Sequence, residues 1–210
     1  MEFTTLTQRL AERLTQPLPG LDAHQDMVPD TYKQQRFSYP SETIGRQSGV
    51  LVLLYEKAGE VCLPLIQRPT YEGGAHSGQI AFPGGKHEPE DADLVETALR
   101  EAQEEVGVDP ATVTVLGNLS KLYIQPSGFW VLPTVGIVDQ PPHYVPDRHE
   151  VAEVLETTLT HLSNPNTLTL GPVMANLPHF PYFNVQDRAV WGATAMMLSE
   201  LIAVYREIRA

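Results

Sequence analysis

The stretch from Gly84 to Val108, GGKHEPEDADLVETALREAQEEVGV, constrains the fold of this chain more than any other. Pro89 can open a helix there, and Asp91 or Asp93 can cap its N-terminus. Gly107 can end the helix in the left-handed conformation. At about 100° per residue, one side of this helix is apolar: Val95, Ala98, Leu99, Ala102 and Val106. The stretch therefore predicts a helix that packs on a second layer of structure.

The segments on either side of this helix are typical of strands. SGVLVLLYE and VCLPLIQR are rich in branched apolar residues and are separated by the turn-like KAGE, so they predict two paired strands. Pro64 in the second run indicates an edge or a bulge, because proline has no N–H for the ladder. Three further strand-like runs follow the helix: TVTVLGNL, FWVLPTVGIV and EVAEVLETTL.

Helical patterns mark both ends of the chain. Leu6, Leu10 and Leu14 recur every four residues and predict a short amphipathic helix. Residues 16–43 carry four prolines and no period, which indicates a connecting arm. The C-terminal WGATAMMLSELIAVYREI has helical spacing and more apolar residues than one stripe needs, so we expect it to be buried between the core and a second subunit of a homodimer.

The order of these elements predicts the fold class. Helix, strands, helix, strands and helix follow one another, with the strands in blocks around the central helix, which favours an α+β fold built as an α/β/α sandwich. A chain of 210 residues suits one domain. We therefore expect a single domain over residues 1–210, with residues 1–43 forming the N-terminal helix and the arm.

Charge and composition exclude several classes of function. The net charge of −12 disfavours binding to nucleic acid and to anionic membranes, so the expected partner is a small molecule. A single cysteine, Cys62, cannot form an internal disulfide. We find neither a secretory signal pattern at the N-terminus nor an apolar window of about 18 residues, so the expected location is cytoplasmic.

Three carboxylates crowd one turn of the central helix. Glu101, Glu104 and Glu105 are related as i, i+3 and i+4, where like charges cost a few tenths of a kcal/mol per pair. Arg100 supplies one compensating cation, and a divalent metal ion is the other obvious partner. Oxygen ligands alone favour Mg²⁺ or Mn²⁺ over Zn²⁺.

FPGG followed by REAQEEVGV resembles the signature of the Nudix hydrolases, in which Gly, Arg-Glu and Glu-Glu-x-Gly recur at fixed spacing. The resemblance implies the Nudix fold, with a mixed central sheet, a catalytic loop-helix-loop and a C-terminal helix. Two positions depart from the family pattern. Ala102 replaces a bulkier aliphatic residue, and one extra residue lies between Gly85 and Arg100. The acidic residue expected early in the motif could therefore be any of three: Glu90, Asp91 or Asp93.

The Nudix resemblance also implies a reaction. Members of the family cleave a diphosphate linked to a nucleoside, with divalent ions that neutralise the diphosphate oxygens. It implies that Glu101, Glu104 and Glu105 are catalytic metal ligands, with the Gly85 carbonyl as a further ligand. Arg100 is expected to orient the glutamates. The base is open: either one of these glutamates or an acid from elsewhere, such as Glu150 or Glu153.

A narrower resemblance covers most of the chain. LIQRP, HSGQIAFPGG, SGFWVLPTVG, EVAEV and VWGATA are similar to the subgroup that includes the coenzyme A pyrophosphatases, which yield 4'-phosphopantetheine and 3',5'-ADP. Gly74 stands where that subgroup has an arginine that can bind phosphates. Three residues could substitute for it: Arg68, His76 or Arg46.

The strand run FWVLPTVGIV supplies aromatic candidates for substrate binding. Phe129 could stack on adenine or pack against a pantetheine arm, and the same holds for Trp130. Because side chains alternate along a strand, at most one of the two rings should line the pocket.

Two other functions remain open at this point. The first is the same chemistry on ADP-ribose or a dinucleotide, which Gly74 favours because it removes the arginine of the coenzyme A subgroup. The second is a catalytically silent Nudix domain that binds a nucleotide or a protein. Retention of Arg100, Glu101, Glu104 and Glu105 disfavours a silent domain.

Overall fold

The computed structural model describes residues 1–37, 39–42, 44–70, 78–174 and 179–209. Gly74 and His76 lie outside these ranges, so the sequence predictions that concern them stay predictions. Along the described part of the chain, no helix combines the length and the apolarity needed to cross a membrane.

A mixed sheet forms the centre of the structure. Its longest strands, β1 (Arg46–Lys57) and β7 (Phe129–Ile137), are parallel, and the other pairings recorded for this sheet are antiparallel. The remaining strands are β2 (Glu60–Gln67), β3 (Ile80–Ala81), β4 (Gly84–Lys86), β5 (Thr114–Asn118), β6 (Leu122–Ile124) and β8 (Glu153–Thr158). The order is β3-β2-β1-β7-β5, with β4 on β1, β6 on β7 and β8 on β2.

Helices cover both faces of this sheet. Alternate residues of β1 separate into two apolar clusters, because successive side chains of a strand point to opposite faces. Leu51 and Leu53 cluster with Ala98 and Ala102 of helix α4 (Leu94–Val106). Val50, Val52 and Leu54 cluster instead with apolar residues of helix α6 (Gly192–Arg209). The α+β, α/β/α arrangement expected from the sequence is confirmed.

The N-terminal segment completes the α6 side of the core. Helices α1 (Phe3–Leu14) and α2 (Leu21–His24) pack against α6, and α3 (Asp30–Arg36) follows them. The arm therefore contains two short helices that its prolines did not indicate. Much of the apolar surface of α6 is buried within the chain itself, so this surface no longer argues for a second subunit. The homodimer stays a prediction without that support.

A second, smaller sheet precedes α6, and the sequence patterns did not predict it. Helix α5 (Leu159–Ser163) leads to β9 (Leu168–Pro172), β10 (His179–Val185) and β11 (Arg188–Val190). These strands pair antiparallel in the order β11-β10-β9. The sheet leads the chain to the start of α6, where the Thr194 hydroxyl donates to the Ile80 carbonyl of β3 at 2.9 Å.

Candidate active site

Local sequence sets the boundaries of α4, the helix that carries the carboxylates. The Asp93 side chain accepts hydrogen bonds from the backbone N–H groups of Val95 and Glu96, both at 2.9 Å. Gly107 ends the helix with φ 75° and ψ 21°, the left-handed conformation that glycine adopts without strain. Both caps were among the residues predicted from the sequence.

Close approach of the backbone fixes α4 against the sheet. A Cβ on Gly49 would lie 2.2 Å from the Leu94 carbonyl oxygen, so a larger residue at this position would push the helix away from β1. The position of α4 therefore depends on a glycine in the strand beneath it.

The three predicted metal-binding glutamates have different environments. The Glu105 side chain is 1% exposed, that of Glu101 is 14% exposed and that of Glu104 is 56% exposed. The sequence placed all three on one polar face, whereas the structure buries Glu105 beside the apolar stripe. Because Glu105 is buried, the electrostatic cost of leaving its carboxylate without a cation is higher than at an exposed position.

Glu105 reaches the glycine-rich turn across the edge of β4. One carboxylate oxygen accepts a hydrogen bond from the Gly84 N–H at 2.8 Å, and the other lies 3.5 Å from an Arg68 nitrogen. Burial nevertheless raises the pKa of Glu105 to about 7, with smaller upward contributions from the charges of Glu101 and Glu150. These polar partners only partly offset the loss of hydration.

Glu101 occupies the space that a side chain at position 85 would fill. A Cβ on Gly85 would lie 2.3 Å from the Glu101 carboxylate, so only glycine fits there without displacing that group. Burial raises the pKa of Glu101, and the neighbouring Arg100 opposes this shift. Position 85 thus requires glycine for a steric reason, and the expected ligand role of its carbonyl stays a prediction.

The Gly85 carbonyl is positioned by a residue that sequence reasoning missed. It accepts a hydrogen bond from the Ser48 hydroxyl at 2.6 Å, and Gly85 also pairs with Gly49 in the β1–β4 ladder. Alternation along SGVLV could have identified Ser48, because it shares a face of β1 with Val50 while Gly49 faces α4.

Arg100 forms ion pairs with three carboxylates. Its Nε and Nη2 atoms bind the two oxygens of Asp91 at 2.8 and 3.1 Å. Its guanidinium also lies 3.0 Å from Glu101 and 3.1 Å from Glu104. The side chain therefore links Asp91, in the loop before α4, to the turn that carries Glu101 and Glu104, and its expected role in orienting the glutamates stays a prediction.

The same contacts distinguish the three candidates for the early acidic position. Asp91 is buried, and the guanidinium of Arg100 holds its pKa well below the usual range. Asp93 instead caps the helix, while Glu90 is exposed to solvent. Asp91 is thus the acid that pairs with Arg100.

The donor set of this site suits a hard divalent cation. Its candidate ligands are carboxylate and carbonyl oxygens, and the buried Glu105 has only partial compensation for its charge. Among the described residues, no group of three or more His, Cys, Asp or Glu side chains is arranged to hold a metal ion. Glu101 and Glu104 both turn toward Arg100, and Glu105 turns toward the Gly84 N–H. All three carboxylates therefore contact protein donors, and Glu101 and Glu104 share Arg100.

The loop between β7 and β8 brings a fourth carboxylate to the site. Asp147 N–H donates to the Glu105 carbonyl at 2.9 Å, which ties this loop to the end of α4. The charge of Glu150 raises the pKa of both Glu101 and Glu105, so Glu150 lies within electrostatic range of the cluster. Glu153, the other predicted candidate for the base, forms an ion pair with Arg188 instead.

A cavity of about 920 Å³ lies on the α6 side of the sheet. It adjoins the glycine edge, which is the Gly84–Gly85 pair of β4. Of the predicted substrate-binding residues, Arg68 and Phe129 line it, and His76 lies outside the described residues. Trp130 packs instead against Tyr39 and Tyr123 in the core, with centroid distances of 5.5 and 5.3 Å. As alternation along the strand requires, one of the two neighbouring rings faces the cavity and the other does not.

Comparison with known proteins agrees with this geometry. The profile of the Nudix domain matches residues 45–172, more than half of the chain. A protein of Pectobacterium atrosepticum named Uncharacterized Nudix hydrolase NudL is 37% identical over 162 residues, which cover 74% of this chain and 81% of that protein. Its namesake from Yersinia enterocolitica is 37% identical over 147 residues, 67% of this chain and 75% of that protein.

Solved structures show the same fold. A Nudix hydrolase from M. smegmatis, RenU, aligns with a TM-score of 0.55 and 18% identity over 78% of this chain and 87% of its own. A MutT/nudix family protein from Enterococcus faecalis aligns with a TM-score of 0.52 and 17% identity over 84% of this chain and 68% of its own. With the capped helix, the glycine edge and the retained glutamates, these matches show that the chain belongs to the Nudix hydrolase family and is a pyrophosphatase of that family.

Proposed function

We propose that this protein hydrolyses the diphosphate bond of coenzyme A or an acyl-coenzyme A, with Mg²⁺ or Mn²⁺, to 3',5'-ADP and 4'-phosphopantetheine or its acyl derivative. The observation that carries the proposal is the cavity beside the glycine edge. It extends from Gly84 and Arg68 to an apolar part lined by Phe180, Trp191 and Met197. A substrate that joins a nucleotide to a long, largely uncharged arm matches both parts.

The proposed roles follow from the contacts of each residue. Glu101, Glu104 and Glu105 would hold the divalent ion, with the Gly85 carbonyl as a further ligand. When bound, the ion neutralises diphosphate oxygens and stabilises the charge that develops during in-line attack by water. Arg100 orients Glu101 and Glu104, and its pairing with Asp91 fixes its own position.

Glu150 is the proposed general base. It lies in electrostatic range of Glu101 and Glu105, it is exposed to solvent, and its loop is hydrogen-bonded to α4. A carboxylate in this position can take the proton of an attacking water while the helix glutamates hold the metal ion. Glu153 is less suitable, because Arg188 already binds it.

We also propose that residues 1–210 act as one Nudix domain. The α1 residues Leu6, Leu10 and Leu14 belong to the same core as β1 and α6, and Val28 and Tyr32 of the arm line the cavity. Limited proteolysis tests this proposal. Separation of residues 1–43 without loss of activity would contradict it.

Product analysis tests the proposed reaction. The protein is incubated with Mg²⁺ or Mn²⁺ and, separately, with coenzyme A, an acyl-coenzyme A, ADP-ribose and NADH, and the products are identified by mass spectrometry. We expect 4'-phosphopantetheine, or its acyl form, and 3',5'-ADP from the native protein. Glu104→Gln should abolish both products, whereas Glu60→Gln, at the start of β2, removes a carboxylate outside the site and should not.

The other outcomes separate the alternatives. Cleavage of ADP-ribose or NADH alone would retain the Nudix chemistry and overturn the coenzyme A proposal. The absence of cleavage for every compound, in a protein that still binds nucleotide, would favour the catalytically silent domain.

A further inference from the structure

The described lining of the cavity contains two cationic side chains, Arg46 and Arg68. Arg68 lies 3.5 Å from Glu105 and therefore belongs to the catalytic end. Arg46 has no ion-pair partner among the described residues. In a chain with a net charge of −12, an uncompensated arginine in a substrate cavity marks a place where an anionic group would be favoured.

Arg46 is exposed to solvent, but two contacts hold its guanidinium in place. Its Cζ atom lies 4.2 Å from the centroid of the Phe129 ring, and its Nη2 donates to the Ser127 carbonyl. Phe129 is also its direct neighbour across the β1–β7 pairing. A guanidinium fixed in this way loses less rotamer entropy on binding a ligand, and most of its five N–H donors remain available.

The spacing along β1 relates Arg46 to the reacting centre. Arg46, Ser48 and Val50 share one face of the strand, and all three line the cavity. The Ser48 hydroxyl binds the carbonyl of Gly85, the glycine that packs against Glu101. Two residues of strand span roughly 7 Å, about the length of a ribose unit. A nucleotide whose diphosphate lies at Gly85 would therefore bring its ribose toward Arg46.

We propose that Arg46 determines specificity by binding a phosphate monoester on the ribose of the substrate. A phosphate monoester accepts two parallel N–H bonds from one guanidinium, which a ribose hydroxyl cannot do. This inference rests on the proposed function, and in coenzyme A the group concerned is the 3'-phosphate. Arg46 thereby distinguishes coenzyme A from dephospho-coenzyme A, while Phe129 supports the guanidinium instead of stacking on adenine with that face.

The ratio of kcat/KM for coenzyme A to that for dephospho-coenzyme A isolates this contact, because a general effect on folding changes both values alike. A charge-assisted hydrogen-bonding contact predicts a ratio of about 10 to 100 in the native protein. Arg46→Ala should reduce this ratio to about 1 by raising KM for coenzyme A, with kcat nearly unchanged. Arg46→Lys, which keeps the charge and loses the planar fork, should give an intermediate ratio.

Lys121→Ala is the matched control, since it removes a positive charge that pairs with Glu42 and does not line the cavity. It should leave the ratio at the native value. An Arg46→Ala variant that folds and keeps the native ratio would overturn the inference, as would an equal loss for both compounds. Native protein that cleaves neither compound would overturn the proposed function together with this inference.

Discussion

The burial of Glu105 predicts an unusual effect of a single atom exchange on stability. In metal-free protein, Glu105→Gln removes the carboxylate while it keeps the size of the side chain. Its amide oxygen can still accept the hydrogen bond from Gly84, and its amide group needs no compensating cation. We therefore expect this substitution in the catalytic helix to stabilise the metal-free protein at neutral and alkaline pH.

The magnitude follows from the pKa. Burial raises the pKa of Glu105 from 4.5 to about 7, and each pKa unit corresponds to about 1.4 kcal/mol. Because the folded-state pKa is raised, the contribution of this group to stability is fully present below about pH 4.5 and is lost as the pH rises through about 7. Above that pH the free energy of unfolding of the native protein should be about 3 kcal/mol lower than that of Glu105→Gln.

Urea unfolding in the presence of a chelator measures this difference. The free energy of unfolding of the variant and of the native protein should be similar near pH 4.5 and should diverge by up to about 3 kcal/mol by pH 8. Glu104→Gln is the matched control, since Glu104 is mostly exposed on the same helix and its loss removes no buried carboxylate. A difference for Glu105→Gln that stays constant between pH 4.5 and pH 8, or that favours the native protein at pH 8, would refute this reasoning.

Three further substitutions test separate parts of the site. Gly85→Ala should lower kcat/KM at least about 100-fold, because its Cβ would lie 2.3 Å from the Glu101 carboxylate and would displace that proposed metal ligand. Near-native activity in a steady-state assay would contradict this. Asp93→Ala should lower the free energy of unfolding by about 1 kcal/mol through loss of the helix cap, as measured by urea unfolding; an unchanged midpoint would argue against the cap. Glu200→Ala should lower the free energy of unfolding by on the order of 3 kcal/mol, since it leaves the buried Gly20 N–H and the half-buried Ser120 hydroxyl without their acceptor; thermal unfolding at the native temperature would exclude this role.

Features that depend on neighbouring residues in the chain were accessible from the sequence. The caps of α4 at Asp93 and Gly107 and the opposite orientations of Phe129 and Trp130 follow from local backbone chemistry and from the two-residue period of a strand. Pro64, which indicates an edge or a bulge in the sequence, lies where the pairing of β2 changes. Beyond Cys62 the recorded pairing of β2 with β1 ends, and Pro64 lies opposite Glu156 of β8.

Features that depend on distant segments were not accessible. The burial of Glu105 results from the edge of β4, which crosses the end of α4 and supplies the Gly84 N–H. At about 100° per residue Glu105 lies beside Ala98 and away from Glu104, so periodicity indicates a place next to the apolar stripe but not the β4 partner that Glu105 meets there. The choice of Glu150 over Glu153 depends on a loop tied to α4 and on the position of Arg188.

The C-terminal helix has more apolar residues than one stripe needs, a pattern that predicts burial against a second subunit. In the structure α1 and α2 contact this helix within the same chain, so the homodimer stays a prediction without that support. Buried Glu200 adds a polar anchor there, with hydrogen bonds from Gly20 at 2.9 Å and from the Ser120 hydroxyl at 2.6 Å. The prolines of the arm indicated a connecting segment, so the sequence did not predict the short helices that bring Gly20 to this position.

The proposed function requires that the carboxylates of α4 hold the divalent ion on which diphosphate hydrolysis depends. Binding of Mn²⁺, followed by the loss of the electron paramagnetic resonance signal of the free ion, tests this proposal. We expect saturable binding by the native protein, at least about tenfold weaker binding by Glu101→Gln and Glu105→Gln, and native binding by Glu60→Gln. Native-strength binding by Glu101→Gln and Glu105→Gln, or no binding by the native protein with or without a nucleotide diphosphate, would contradict it.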